Sequence, residues 1–208
     1  MQKDGENFIE LCRDYFFDNN TEKEYYRLRS NFNDPNIESE VKGALFLYLN
    51  KHGYNGLCRY NAAGKFNVPF GHKKVAPAFP EKELLHAFEK SIHMNIHECS
   101  FGAMFRIVKK GDVVYCDPPY LPLSKTSSFT TYSAGEFGFM EHAGLVGNAE
   151  QAQKNGATVI ISNNDVPAAR KLYKDATEIH SVDVRKNISC KGDGRKKQKE
   201  IIAVYRPK

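Results

Sequence analysis

An acid, two prolines and an aromatic residue follow a short apolar run, as Asp117, Pro118, Pro119 and Tyr120. The run itself, residues 113–116, reads Val-Val-Tyr-Cys and favours a packed strand, because β-branched and aromatic side chains fit a pleated surface. Pro118 has no amide hydrogen for a sheet ladder and restricts the residue before it, so the strand should end near Asp117. The sequence therefore predicts a carboxylate on a rigid loop at the carboxyl end of a strand, where open α/β sheets bind ligands.

This loop suits methyl transfer to an exocyclic amine such as that of adenine, whose lone pair is delocalised into the ring. The Asp117 carboxylate and the Pro118 carbonyl could each accept one N–H bond of the amine. Two such bonds would localise the lone pair and stabilise the positive charge that develops as a methyl group arrives. Tyr120 would stack on the base, and Pro119 with its neighbour would keep the acceptors rigid. We therefore predict that Asp117, Pro118, Pro119 and Tyr120 are catalytic.

Five further segments occur in an order that resembles one enzyme family. They lie at residues 45–50, 53–61, 66–71, 160–163 and 195–197. With the strand and loop at 113–120, which resemble motif IV of amino-methyltransferases, they resemble Dam-type (D12 class) DNA adenine N6-methyltransferases over nearly the whole chain. The loop alone is less specific, since related loops serve enzymes that methylate glutamine or RNA.

The resemblance implies transfer of methyl from S-adenosylmethionine to adenine N6 in double-stranded DNA, with a flipped target base and a GATC-like site as the first expectation. It also implies that Asp117 and Tyr115 contact the cofactor and that no metal is needed. A cytoplasmic enzyme of a prokaryote or phage is expected from the family.

Composition agrees with a globular enzyme rather than a membrane protein. The chain has 208 residues, 41% of them hydrophobic, and a formal net charge of +5. No apolar run approaches the roughly 18 residues of a membrane span. The five cysteines have no paired spacing, so buried free thiols are preferred to a disulfide framework or a metal site.

The predicted fold is α/β, a Rossmann-like methyltransferase sheet combined with a helical and β-hairpin DNA-recognition domain. We predict a target-recognition domain at residues 1–79 and a catalytic domain at 80–208. Helical spacing indicates amphipathic helices at 7–17 and from Tyr25 to Phe32, the latter capped at Thr21, and an almost wholly apolar helix at 41–52 that Gly53 closes.

The segment at 53–79 mixes Gly, Asn, aromatic and basic residues and predicts a β-hairpin or ordered loop with a turn at 61–65. In the family a similar hairpin enters the major groove, where Arg and Asn can contact base edges. Basic clusters elsewhere suit phosphate contacts. The predicted DNA-binding residues are Arg59, Asn61, Lys65, Asn67, His72, Lys73, Lys74, Ser124, Lys125, Arg195, Lys196 and Lys197.

The remaining residues predict alternating strands and helices. Strands are expected at 95–99, 157–162, 180–184 and 201–205, and helices at 84–92, 101–108, 136–155 and 166–174. The last two strands should form an antiparallel hairpin with a basic connection. Asn163, Asn164 and Asp165, after the strand at 157–162, either support the catalytic pocket or form a turn and helix cap.

The Phe-x-Gly-x-Gly loop that such enzymes use for S-adenosylmethionine is not found in the sequence. We therefore expect an incomplete sheet whose first strands are missing, in an amino-terminally truncated enzyme or in one part of a split enzyme whose partner chain supplies that segment. A catalytically dead DNA-binding remnant is the alternative, and a methyltransferase for RNA or protein is a third hypothesis.

Overall fold

The chain forms two compact units, Met1–His97 and Glu98–Lys208. The computed structural model describes residues 5–17, 19–123, 137–185 and 197–207. The domain boundary predicted after residue 79 differs from this division. Helix α4 (Glu81–Ser91) lies beyond that boundary, yet it packs on α1 (Gly5–Phe16) of the first unit, with the Phe88 ring directly against Gly5.

Three helices build the core of the first unit: α1, α2 (Glu22–Phe32) and α3 (Ser39–His52). Thr21 accepts a hydrogen bond from the Glu24 amide at 3.2 Å, which confirms the predicted start of α2. The helices and the following segment bury one cluster of apolar side chains, composed of Tyr25, Leu28, Phe32, Leu45, Tyr48, Leu49, Phe66 and Val68.

Gly53 ends α3 as predicted, but not in the left-handed conformation that usually favours glycine there. Its φ is −70°. A Cβ at this position would instead lie 2.6 Å from the Leu49 carbonyl oxygen and 3.0 Å from the Tyr25 hydroxyl. Close packing against the end of α3 is therefore what requires glycine.

The predicted hairpin is an irregular pair of extended segments. Isolated antiparallel bridges join Gly53 to Phe70 and Tyr60 to Phe66. Between the second pair lies the predicted turn, in which the Asn61 amide donates to the Lys65 carbonyl at 2.9 Å and Gly64 has a φ of +70°. Only glycine adopts that φ without strain, so the turn is specified locally.

A four-stranded mixed sheet forms the second unit. Its strands are β1 (Val113–Cys116), β2 (Thr158–Asn164), β3 (Glu178–Arg185) and β4 (Lys197–Tyr205), in the order β1-β2-β4-β3. β1 and β2 are parallel, while β4 is antiparallel to both β2 and β3. The predicted antiparallel hairpin of the last two strands is thus confirmed.

Helices α5 (Phe101–Phe105), α6 (Phe139–Lys154) and α7 (Pro167–Leu172) accompany the sheet. Their apolar residues bury one face, with Val159, Ile161, Ala203 and Tyr205 at its centre. On β1, Val114 and Cys116 pack against this core. Val113 and Tyr115 alternate to the other side, where they are 69% and 63% exposed.

Several sequence predictions need correction. Residues 95–99 form no strand: all five are exposed and none pairs with a neighbouring strand among the described residues. The helix expected at 101–108 ends at Phe105. β2 continues through Asn163 and Asn164, which were expected beyond its end, since both pair with β4.

The predicted burial of the cysteines holds for Cys12 but is wrong for Cys58 and Cys99, which are exposed. No helix among the described residues is long and apolar enough to cross a membrane.

Candidate active site and nucleic-acid interface

The loop from Asp117 to Leu121 leaves β1 directly beside the end of β2. Parallel pairing of Cys116 with Ile161 brings Ser162 next to Asp117. The Ser162 hydroxyl donates to Asp117 Oδ1 at 3.0 Å and accepts from the Tyr115 hydroxyl at 3.1 Å. Ser162 is 4% exposed, whereas Tyr115 and Asp117 are exposed, so both bonds are partly buried.

Two further side chains hold the middle of the loop. The carbonyl of Pro119 makes a hydrogen bond with buried His142 of α6. Burial lowers the pKa of His142 and keeps the ring neutral. The Tyr120 hydroxyl donates to Glu200 of β4 at 3.3 Å, and burial raises its pKa to about 12.

Leu121, at the end of the loop, is bound through both of its backbone polar groups. Its amide donates to Asn163 Oδ1 at 2.8 Å, and its carbonyl accepts from Asn164 Nδ2 at 2.6 Å. Asn163 Nδ2 in turn donates to the Tyr173 hydroxyl at 2.9 Å, and Asn164 Oδ1 accepts from Gln198. These amides are buried but satisfied, as buried polar groups in native proteins normally are.

Two acceptors of the loop remain without a protein partner within the described ranges: the second carboxylate oxygen of Asp117 and the carbonyl of Pro118. Both belong to the tetrapeptide singled out by sequence. A carboxylate oxygen and a carbonyl on consecutive residues can accept two N–H bonds from one amine, the chemistry expected of this loop.

Asp165 does not take part in the loop, although it was considered together with the two asparagines. Its carboxylate accepts from Arg170 Nε at 2.6 Å and from the Ser181 hydroxyl at 2.5 Å, so it joins α7 to β3. These hydrogen bonds hold its pKa below the ordinary value, with the Arg170 bond as the largest cause.

Side chains of the first unit anchor the hairpin to the helices. The Asn33 amide group brackets Phe66, accepting from its backbone N–H at 2.8 Å and donating to its carbonyl at 3.0 Å. The carbonyl of Val68 accepts from Arg29 at 2.8 Å and from the Tyr25 hydroxyl at 3.0 Å. The base of the hairpin is therefore fixed by side chains as well as by its own backbone.

Most of the predicted DNA-binding side chains of this segment already have partners. Arg59 donates to the side chain of Asn67 at 2.8 Å, and Asn61 Oδ1 accepts the backbone amides of Ala63 and Lys65 at 3.0 Å. These bonds leave the Asn61 Nδ2 group for other contacts.

The basic residues near the hairpin differ in whether their side chains already have a partner. Lys73 donates to the Lys51 carbonyl at 2.5 Å, and His72 lies 3.9 Å from a Glu22 oxygen. Lys65 and Lys74 are exposed, with no side-chain partner within the described part of the chain. Beside the turn is a cavity of about 410 Å³ whose charged lining residues are Asp34, Lys42 and Lys65.

Four predicted DNA-binding residues, Ser124, Lys125, Arg195 and Lys196, lie outside the described residues. Lys197 is the first residue of β4, where its backbone pairs with Arg185.

Sequence analysis missed the residues that hold the loop: Ser162, His142 and Glu200. Ser162 gave one signal, since a polar residue follows four β-favouring residues in the same strand. His142 and Glu200 gave none, because each looks like an ordinary polar position of a helix or an exposed strand.

Two groups of the site could contact a cofactor that carries positive charge and an amine close to the atom that reacts. These are the free Asp117 oxygen and the exposed ring of Tyr115. No group of three or more His, Cys, Asp or Glu residues suited to a metal ion occurs within the ranges that the structure covers.

A family model described as D12 class N6 adenine-specific DNA methyltransferase matches residues 1–188. Curated bacterial relatives are similar over almost the whole chain. The DNA adenine methylase of Salmonella typhi is 43% identical over 206 residues, covering 97% of this chain and 72% of that protein. The DNA adenine methylase of Escherichia coli strain K12 is 41% identical over 203 residues, with the same coverage.

A phage protein shows the same similarity within a much longer sequence. The DNA N-6-adenine-methyltransferase of Escherichia phage P1 is 37% identical over 206 residues, which cover 98% of this chain and 27% of that protein.

Proposed function

The chain belongs to the D12 class of N6 adenine-specific DNA methyltransferases and is thus an enzyme of DNA adenine methylation. We propose that Asp117 and Pro118 activate the adenine amine directly. One observation carries this assignment. Ser162 binds one oxygen of the Asp117 carboxylate, whereas the other oxygen and the adjacent Pro118 carbonyl have no partner among the described residues.

The two free acceptors would each take one N–H of the adenine amine. As these bonds form, the nitrogen lone pair is drawn out of conjugation with the ring and directed at the incoming methyl carbon. The new N–C bond places positive charge on nitrogen, which the neighbouring carboxylate stabilises until a proton is lost. Asp117 and Pro118 would therefore act mainly in the transition state.

Tyr120 would stack on the target base once it has left the duplex. Extruding a base costs a few kcal/mol, and stacking on an aromatic ring recovers on the order of 1–3 kcal/mol. The bond from its hydroxyl to Glu200 fixes the direction of the ring. Pro119, held by His142, would keep Tyr120 and Pro118 in register with each other.

S-adenosylmethionine, when bound, supplies the methyl group. Among the described residues, Asp117 and Tyr115 would contact it: the carboxylate by its charge and the exposed tyrosine by its aromatic face. Neither contact requires a metal ion.

The first unit would bind double-stranded DNA through the hairpin. Its turn carries exposed Lys65 next to a cavity whose lining includes Lys42, which suits phosphate. Arg59, Asn61 and Asn67 lie on the same hairpin, where they would approach base edges, and His72, Lys73 and Lys74 would add phosphate contacts. Ser124, Lys125, Arg195, Lys196 and Lys197 complete the proposed interface. A GATC-like sequence is the proposed target.

The exposed residues of β1 suggest a further component. Val113 and Tyr115 present apolar and aromatic surface on one face of the strand that carries the catalytic loop. Among the described residues β1 is also the outer strand of the sheet, and its unpaired backbone edge favours pairing with another segment. A partner polypeptide with the cofactor-binding segment would fit there. The cytoplasm of a bacterium, or of a phage-infected cell, is the proposed location.

Transfer of labelled methyl from S-adenosylmethionine to an adenine-containing duplex tests the assignment. The chain is assayed alone and with a fragment that carries a Phe-x-Gly-x-Gly segment, each beside Asp117→Ala. We expect Asp117→Ala to lower the single-turnover rate by about 10²-fold or more. The matched control, Asp183→Ala, removes an exposed carboxylate of β3 and should leave the rate unchanged. Equal rates for Asp117→Ala and the unaltered chain would refute the proposal.

A further inference from the structure

The carboxyl end of β2 is polar although it is buried. Ser162, Asn163 and Asn164 are 4%, 0% and 5% exposed, and they follow an apolar stretch that fills the core. Burying hydroxyl and amide groups costs free energy unless each finds a partner. The partners found here lie largely on the loop from Asp117 to Leu121.

Ser162 determines which Asp117 oxygen faces outward. The Tyr115 hydroxyl donates to Ser162 Oγ, so the single hydrogen of Ser162 is free to point elsewhere. Its neighbouring acceptors are Asp117 Oδ1 at 3.0 Å, the Cys116 carbonyl at 3.4 Å and the Tyr120 hydroxyl. The shorter, charge-assisted bond to the carboxylate is favoured. Asp117 is thereby held with one oxygen bound and one available.

The two asparagines fix the other end of the loop. One binds the Leu121 amide and the other its carbonyl, which removes the freedom of that peptide group to rotate. Asn163 Oδ1 also accepts the amide of Asn164 at 2.8 Å, so the two side chains support each other. With both ends held, the backbone that carries the Asp117 carboxylate and the Pro118 carbonyl has less freedom to move.

We infer that Ser162, Asn163 and Asn164 are positioning residues that hold the Asp117–Leu121 loop at both ends and leave two acceptors oriented toward the substrate amine. This inference rests on the proposed role of Asp117. In this inference the three residues act through the geometry of the loop, by way of their hydrogen bonds to Asp117 and Leu121. A misplacement of reacting groups by about 1 Å can cost about 10²-fold in rate.

The test compares single-turnover methyl transfer, the KM for duplex DNA and the melting temperature in Ser162→Ala and Ser162→Thr. Ser162→Ala should lower the rate by about 10- to 100-fold with little change in KM. Ser162→Thr keeps the hydroxyl and should restore the rate to within about threefold of the unaltered chain. If Ser162 had a purely structural role, Ser162→Ala would instead lower the melting temperature, and the rate would not fall selectively while KM stayed the same.

Ser181→Ala is the matched control. It removes another serine-to-aspartate hydrogen bond in the same unit, the one to Asp165 at 2.5 Å, and should leave the rate unchanged. Asn164→Ala, compared with Asn148→Ala on the surface of α6, tests the Leu121 end and should also lower the rate while KM is preserved.

The outcomes separate the inference from the function on which it rests. The assays are run with and without the added fragment. If Asp117→Ala and the unaltered chain transfer methyl at equal rates, or if neither transfers methyl, the proposed role of Asp117 is refuted. The positioning role of the three residues is then refuted as well. If Asp117→Ala abolishes transfer but Ser162→Ala and Asn164→Ala keep the full rate, only the positioning inference is overturned.

Discussion

In each unit, asparagine side chains form hydrogen bonds that anchor an irregular backbone segment. The two segments differ in how many of their residues are anchored. In the first unit, Asn33 binds both backbone groups of Phe66 at the base of the hairpin. In the second unit, Asn163 and Asn164 share the same task at Leu121. Beyond Phe66 the hairpin turn projects with exposed Lys65, whereas four of the five residues from Asp117 to Leu121 have a side-chain or backbone anchor.

The difference matches the two tasks that we propose for these segments. Proton and methyl transfer depend on distances of a few tenths of an ångström, so a catalytic loop gains from being held throughout. A hairpin that enters a groove must adapt to the shape of the DNA, and a fixed base with a free turn permits this. Substitution of Asn33 should therefore affect mainly DNA binding, and substitution of Asn163 or Asn164 should affect mainly the rate of methyl transfer.

The largest effect is expected from Asn163→Ala. It leaves the buried amides of Leu121 and Asn164 and the Tyr173 hydroxyl without their partner. At about 1–3 kcal/mol for each buried unsatisfied group, partly relieved by relaxation, the free energy of unfolding should fall by about 3 kcal/mol. Urea unfolding measures the loss. Hydrogen exchange should accelerate at Leu121 and stay unchanged at Phe66; accelerated exchange at Phe66 alone would contradict the comparison.

Asn33→Ala should give the converse result, with a smaller loss of about 2 kcal/mol because Asn33 is only partly buried. Exchange should accelerate at Phe66 and not at Leu121. Affinity for duplex DNA should fall, while the transfer rate at saturating DNA stays close to that of the unaltered chain. Asn31→Ala, an exposed asparagine in the last turn of α2, is the control. A lower rate at saturating DNA in Asn33→Ala would count against separate tasks.

Acidification should weaken both units through buried histidines. Burial lowers the pKa of His52 in the first unit and of His142 in the second below the ordinary value of 6.5. The unfolded chain then binds more protons than the folded chain just below pH 6.5, so the stabilisation present at pH 7 is lost as the pH falls through that window.

Melting temperatures measured from pH 7.5 to pH 5 should decline below about pH 6.5, and His142→Gln should reduce the decline. His86→Gln, an exposed histidine of α4, should not. An unchanged pH dependence in both His142→Gln and His52→Gln would refute this origin.

The smallest effect is expected from Lys65→Ala at the free turn. Loss of one phosphate contact should weaken DNA binding by less than about tenfold and reduce the slope of log affinity against log salt by about 1. Fluorescence anisotropy with duplex DNA over a range of salt concentrations measures both. Lys171→Ala, an exposed lysine of the second unit, should leave the slope unchanged, and an unaltered slope in Lys65→Ala would remove this residue from the interface.

Local sequence predicted most elements of both units. Helical spacing and the cap at Thr21 located the helices of the first unit, and the β-branched run before Pro118 located β1 and its end. Such signals act within a few residues, because they arise from backbone sterics and from caps. Residues 95–99 show the limit: the order of elements suggested a strand there, but a strand requires a neighbour to pair with, and that is not encoded locally.

The sequence by itself determined the Asp117–Tyr120 tetrapeptide, the family and the position of the hairpin turn, since each is written in short local segments. Tertiary structure alone decided what holds the tetrapeptide. Pairing of Cys116 with Ile161 places Ser162 at Asp117, and pairing of Asn164 with Glu200 places Glu200 near Tyr120. A shift of register by one residue would turn these side chains to the opposite face of the sheet. Strand register depends on the packing of the whole core, so no local pattern could have specified it.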